Sequence, residues 1–297
     1  MTRYCLLVVF GIAISNVAFG QQADQLKVYI SADMEGVGGV STWDKESDPK
    51  GADYEKFRRL MTLEVNAAIA GAYDAGATEV LVSDSHWDGQ NIDLELLDRR
   101  VRIVRAWPRP LGMMQGIDET FDAVVFVGYH AGEGRADAIL AHTESASTIL
   151  EVKLNGVAVP EAGINASIAG EFGVPVVFLS GDQTIGEDAR RLLGPIETAT
   201  VKTAGGFYSA AMLHPEECQR LIREGVKRGI AKRGELKPYK LARPVKLEVT
   251  FKWTVYAEIA SYLRGVERPR GNAIVYTAID AVDASRFFNA ISFLKAD

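Results

Sequence analysis

The stretch SADMEGVGG, residues 31–39, sets Asp33 and Glu35 two positions apart, directly behind the apolar run LKVYI. Acids and glycines are ordinary in surface turns, so the pair gains meaning only from its company. That company is histidine. The chain has four, and two of them close apolar runs of the same kind: EVLVSDSH ends in His86, and FDAVVFVGYH ends in His130. His142 follows soon after in AHT. Carboxylate and imidazole together are the ligands of a divalent transition metal. On an extended segment, side chains two apart leave on the same side, about 7 Å apart along the backbone. Asp33 and Glu35 would then either share one metal, or Asp33 would bridge two while Glu35 holds one. Gly36, Gly38 and Gly39 let the chain turn away and leave such a site open. A phosphate-cradling loop is the rival reading of GVGG, but the glycine spacing is wrong and no helix follows directly. His214, before Pro215 at a helix start, has no metal-like company and reads as structural.

These residues need elements to position them. Strands are expected at 26–32, 79–86, 101–106, 121–130 and 174–182, and helices at 52–76, around 92–98, at 160–173 and from 183 to about 193. Residues 148–159 read as a hairpin turning at Asn155-Gly156. Alternation of this kind is the signature of an α/β fold, a mostly parallel sheet with helices on both faces. Such sheets bind ligands outside the carboxyl ends of their strands, where Asp33, Glu35, His86 and His130 all fall. Asp84 is read as a residue that orients a ligand or caps the next segment, and Asp182 as an N-cap. Trp43, Trp87 and Trp107 stand in loops around the proposed site. Gly194-Pro195 punctuates the chain. Strands at 197–202, 245–252 and 272–278, with helices at 215–232 and 282–294, are assigned to a second, smaller α/β domain. The expected division is a metal-binding catalytic domain over 21–195 and a C-terminal domain over 196–297.

The first twenty residues read as a secretory signal: Arg3, an apolar core from Cys5 to Ile14, and the small-x-small pattern Ala18-Phe19-Gly20. The apolar core is shorter than the roughly 20 residues of a membrane span. A periplasmic or secreted protein is expected, with no membrane segment after cleavage. Loss of Arg3 leaves 33 − 1 = 32 basic residues against 39 acidic ones, a balance of −7, so no nucleic-acid partner is expected. Of the two cysteines, only Cys218 survives cleavage. It shares a helical stripe with Leu221, Ile222, Val226 and Ile230 and reads as a packed thiol.

Five segments in order, SADMEG, SDSH, GYHA, AHT and PEAGINA, resemble the DppA-like D-aminopeptidase family of dinuclear zinc peptidases. The resemblance runs through essentially all of the mature chain and is densest from 26 to 182. It implies that Asp33 bridges two Zn²⁺ ions, that Glu35 and His86 complete one site, and that His130 and Glu161 complete the other. His142 maps onto the proposed catalytic residue. Without the resemblance, Glu161 reads only as a charge complementing a helix dipole. With it, two Zn²⁺ meet three carboxylates, and a bridging hydroxide would bring the site to zero. Manganese or cobalt suits the same ligands. The implied reaction is attack of a metal-activated hydroxide on the scissile carbonyl, with His142 stabilising the tetrahedral intermediate or carrying a proton to the leaving amine. Asn165, one helical turn beyond Glu161, is assigned to substrate contact. Glu144, beside His142, departs from the family's pattern. The implied substrates are short peptides with N-terminal D-residues such as D-alanine, and the implied assembly is a ring-like homo-oligomer. Two other readings stay open: a dinuclear hydrolase of another bond, such as a phosphoester, and a non-catalytic exported metal-binding protein. Clustered arginines at the site would favour the first, and only Arg135 stands near it in sequence.

Overall fold

Seven strands form the sheet that carries the candidate site. The structure, a computed structural model, describes Met1 and residues 25–294. Beyond Met1, the leader expected over 1–20 lies outside the described residues. The first sheet comprises β1 (Lys27–Ala32), β2 (Glu79–Asp84), β3 (Arg102–Val104), β4 (Ala123–Val127), β7 (Val176–Asp182), β8 (Glu197–Gly206) and β9 (Ser209–Met212). Its spatial order is β3-β2-β1-β4-β7-β8-β9, parallel from β3 to β8, with β9 folding back as the antiparallel partner of β8. β4 and β7 are buried along their whole length, and β1 and β2 from their second residue on. That is the demand on parallel strands covered on both faces, and it is why they read as unbroken apolar runs.

The chain runs from β1 outward through α1 (Tyr54–Asp74) to β2, and from β7 in the opposite direction through α3 (Gln183–Leu193) to β8. Right-handed crossovers in opposite directions place these two helices on opposite faces. α4 (Pro215–Ala231) packs beside α1 and over β7 and β8, with Cys218, Ile222, Val226 and Ile230 buried. Cys218 is thus the packed thiol expected.

A second sheet has the order β11-β12-β10-β5-β6 and is antiparallel throughout. It contains β5 (Ile149–Leu154), β6 (Val157–Ala158), β10 (Val245–Phe251), β11 (Val266–Arg270) and β12 (Ala273–Ala278). α5 (Thr254–Ala260) and α6 (Ala281–Ser292) pack on it around Leu154, Val249, Phe251 and Phe288. The two sheets interleave along the chain, so neither coincides with the 21–195 and 196–297 division. The hairpin β5–β6 joins the second sheet, whereas β8, β9 and α4 complete the first. A hairpin turn is a local signal and does not say which sheet its strands will join. Among the described residues, no helix is long and apolar enough to cross a membrane.

Residues 92–98 form turns instead of the expected helix. Side chains from elsewhere take their backbone groups: Asp84 accepts from the Ile92 amide (2.7 Å), and Asn66 binds Leu96 O (2.8 Å) and the Asp98 amide (2.9 Å). The strands expected to reach His86 and His130 stop short, at Asp84 and Val127.

Candidate metal centre

β1 lies between β2 and β4, the place where strand order reverses and a crevice opens beyond the carboxyl ends. From there Asp33 to Gly36 turn instead of continuing extended. The Asp33 amide donates to Val127 O (2.8 Å) and the Gly36 amide to Gly128 O (2.7 Å). The approach is so close that a Cβ on Gly36 would stand 2.0 Å from Tyr129 O, and one on Gly128 (φ +71°) 2.2 Å from Asp33 O. Only glycine fits either position. The two carboxylates therefore meet by a turn, and donor atoms of Asp33, Glu35 and His130 lie within 4.8 Å of one another. Glu161 opens α2 (Glu161–Glu171) behind Pro160. Its Oε1 accepts from the Glu144 amide (2.6 Å), and it comes within the same 4.8 Å of His130 and His142.

The histidines show what the cluster is built to hold. His86 Nε2 lies 2.8 Å from Ser47 O, His130 Nδ1 3.0 Å from Ala131 O, and His142 Nδ1 2.8 Å from Leu140 O. A carbonyl only accepts, so each of those nitrogens carries the proton, and the opposite nitrogen presents a lone pair. Those lone pairs face carboxylates. His86 Nδ1 is 3.2 Å from Asp33 Oδ1 and 3.0 Å from Glu35 Oε2. His130 Nε2 is 3.4 Å from both Asp33 Oδ2 and Glu161 Oε1. His142 Nε2 stands further off, 4.0 Å from Glu35 Oε1 and from Glu161 Oε1. Asp33 Oδ2, Glu35 Oε2 and His130 Nε2 are buried with no hydrogen-bond partner among the described residues. Buried acceptors aimed at one another call for a cation between them. Oxygen and imidazole donors without thiolate suit zinc, manganese or cobalt, so these residues fit a divalent metal.

The electrostatics agree. Burial opposes charge on His86, yet Glu35 and Asp33 raise it well above the usual imidazole range, and Glu161 and Asp33 do the same to His130. Burial and the neighbouring Glu35 raise Asp33. Burial likewise opposes ionisation of Glu35 and Glu161, but His86 holds the first well below the carboxylate range and His130 lowers the second. His142 alone moves the other way, pushed down by burial and by His130, whose ring it stacks on at 4.1 Å. Without a metal, the carboxylates would hold a proton on the inner nitrogens of His86 and His130, the place a bound cation would take, whereas His142 is disfavoured as a cation.

A cavity of about 600 Å³ opens onto the cluster. Trp43, Trp87, Trp107 and Met113 supply apolar walls, while Asp44, Asp48 and Glu144 add acids. No lysine or arginine is among the described residues that line it. Arg135 pairs with Asp188 (3.0 Å) instead, and Arg109 lies behind Trp107 (3.8 Å to the ring), bound to Ser83 Oγ and Asp84 O. Asn165 does not line the cavity. It is buried, with Nδ2 donating to Tyr129 Oη (2.9 Å), because one helical turn from Glu161 leads along α2 into the core. Asp84 fastens the loop that carries His86, through Asn91 Nδ2 (2.8 Å) and the Ile92 amide, and does not touch the imidazole. Asp182 and His214 are the N-caps of α3 and α4. The carbonyls of Ser47, Ala131 and Leu140, which fix the tautomers, have no signal in sequence.

The comparisons with known proteins agree with this geometry. The peptidase M55 family, described as D-aminopeptidase, matches residues 26–290. The D-aminopeptidase of Bacillus subtilis (strain 168) is 33% identical over 264 residues, which span 87% of this chain and 94% of that protein. A solved structure described as a Zn-dependent D-aminopeptidase DppA from Bacillus subtilis, a self-compartmentalizing protease, superposes with a TM-score of 0.88 at 29% identity. The match covers 92% of this chain and all of that one (100%). With a family match along most of its length and a site to go with it, the chain belongs to the D-aminopeptidase family of metallo-aminopeptidases.

Proposed function

We propose that this protein is an exported, zinc-dependent D-aminopeptidase that removes N-terminal D-residues from short peptides, with two metals per subunit. The observation that carries the reading is the pair of imidazole nitrogens, His86 Nδ1 and His130 Nε2, aimed at the orphaned oxygens Glu35 Oε2 and Asp33 Oδ2. Asp33 would stand between the two metals, with Glu35 and His86 on one side and His130 and Glu161 on the other. Zinc bound there supplies a Lewis acid for the scissile carbonyl and a water acidified to near-neutral pKa.

The chain does the rest. His142 keeps its proton on Nδ1, held by Leu140 O, and offers Nε2 toward the cluster. Its lowered pKa keeps that nitrogen free near neutral pH, so it can take a proton at Nε2 and pass it to the leaving amine. Trp43 packs edge-on against His142 (5.6 Å, 89°) and is backed by Phe207 (5.3 Å), which limits the swing of the ring. The tryptophan walls would give the substrate an apolar surface to lie against. Asp44 and Asp48 make a cavity that favours the ammonium every aminopeptidase substrate carries.

The relative's self-compartmentalizing character supports assembly of this chain into a homo-oligomer, and the leader read over 1–20 supports export. The test is hydrolysis of matched D-Ala and L-Ala dipeptides by residues 21–297 loaded with zinc. Turnover of the D-series is expected. No turnover of either series by metal-loaded protein would mean another bond is cleaved.

A further inference from the structure

The segment carrying Asp33 and Glu35 holds its shape without a strand of its own. After β1 it makes successive turns, and the carbonyls of Glu35, Val37 and Val40 point inward to one place. Lys202 Nζ, from β8, donates to all three, at 2.5, 2.9 and 2.7 Å. Lys202 is only 1% exposed. Three ammonium donors meet three acceptors, so none of the four groups is left unpaired. A buried ammonium is among the costliest groups a core can hold. An apolar residue on β8 would fill the same space but would orphan the Glu35 and Val40 carbonyls and leave Val37 O with only the Val40 amide (3.1 Å). Beside it, Glu64 Oε1 on α1 accepts from the Gly38 amide (2.8 Å). A Cβ on Gly38 would sit 2.6 Å from Cys218 Sγ on α4. Three distant elements thus grip one six-residue turn, residues 35–40.

We infer that Lys202 is a positioning residue, whose ammonium fixes the turn 35–40 and through it the reach of the Glu35 carboxylate toward the metal. The inference rests on the reading of Glu35 as a ligand. It also makes the two metal positions unequal, because Lys202 grips the Glu35 side and touches nothing on the Glu161 side.

The test is Lys202→Met in the chain that carries the activity, by two measurements. Amide hydrogen exchange on metal-free protein should show residues 35–41 exchanging at least ~10-fold faster, with β1 and β2 unchanged. Competition with a chelator should show one zinc weakened ~10–100-fold and the other held as in the wild type. Exchange within about 2-fold of the wild type, or equal loosening of every strand, would overturn the inference, because a merely structural lysine acts globally or not at all. If Lys202→Met does not fold, Lys202→Arg keeps the charge but brings a planar fork to three converging carbonyls, and the same uneven pattern is expected. A wild type that binds a single zinc would remove the dinuclear reading, while hydrogen exchange would still decide the role of Lys202.

Discussion

Two buried polar clusters lie on opposite sides of the same turn, and they are built on opposite principles. Around Lys202 every donor is matched, three carbonyls for one ammonium and Glu64 Oε1 for the Gly38 amide, and Glu64 Oε2 is the one atom left over. Around Asp33 the reverse holds. The outer nitrogens of the histidines are tied to carbonyls, while Asp33 Oδ2, Glu35 Oε2 and His130 Nε2 face one another unpartnered. A satisfied buried network holds backbone in place. An unsatisfied one, kept open by satisfied neighbours, is a place for a ligand. The contrast assigns the first cluster to shape and the second to chemistry.

The largest expected effect breaks the chemical side alone. His142→Ala should lower kcat by ~10²–10⁴-fold while zinc content stays at the wild-type level. Loss of zinc in step with loss of activity would move His142 into the ligand set. Gly36→Ala attacks the seam between the clusters. Its Cβ would lie 2.0 Å from Tyr129 O, so the backbone must shift, at a cost of about 3 kcal/mol or more, and zinc affinity should fall with stability. Unchanged melting and unchanged zinc binding would contradict the close approach.

Glu64 sharpens the structural side through pH. Burial pushes its carboxyl up to about 7, from 4.5 in an exposed acid. Between those values the unfolded chain has released a proton that the folded chain still holds, so stability from this group falls as pH rises through the window. Glu64→Gln keeps an acceptor for Gly38 and cannot titrate. Its stability should gain on the wild type between pH 4.5 and about 7, by at most about 3 kcal/mol, and level off above. Equal pH profiles would place Glu64 outside the account. The smallest effect is expected at Asn165. Asn165→Ala removes the Nδ2 contacts with Tyr129 Oη and Met113 Sδ (3.0 Å), while the Tyr129 hydroxyl keeps its bond to Ser31 Oγ (2.8 Å). A loss of about 1 kcal/mol is expected, with KM unchanged. A raised KM would restore Asn165 to the substrate.

Much of this was legible in sequence, for physical reasons. β1, β2, β4 and β7 are buried runs, and a buried run advertises itself by composition. Asp33, His86 and His130 follow such runs, where polar residues stand out. Legibility ended where contacts are long-range. The hairpin at Asn155-Gly156 was visible as a hairpin, but not as part of the second sheet, because register with β10 is set from residues 247–251. The turns at 92–98 depend on Asp84 and Asn66. Asn165 shares a helical face with Glu161, yet that face runs from cavity to core within one turn. Lys202 stands in the half-polar strand ETATVKTAGG, where a lysine is unremarkable, and the three carbonyls that explain its burial lie some 160 residues away and carry no side-chain signal.

The central claim is that the Asp33 cluster is a two-metal centre, and calorimetric titration of metal-free protein with zinc tests it most directly. The account predicts two zinc ions per chain in the wild type and one in Glu161→Ala. A single zinc in both proteins, or none, would contradict it.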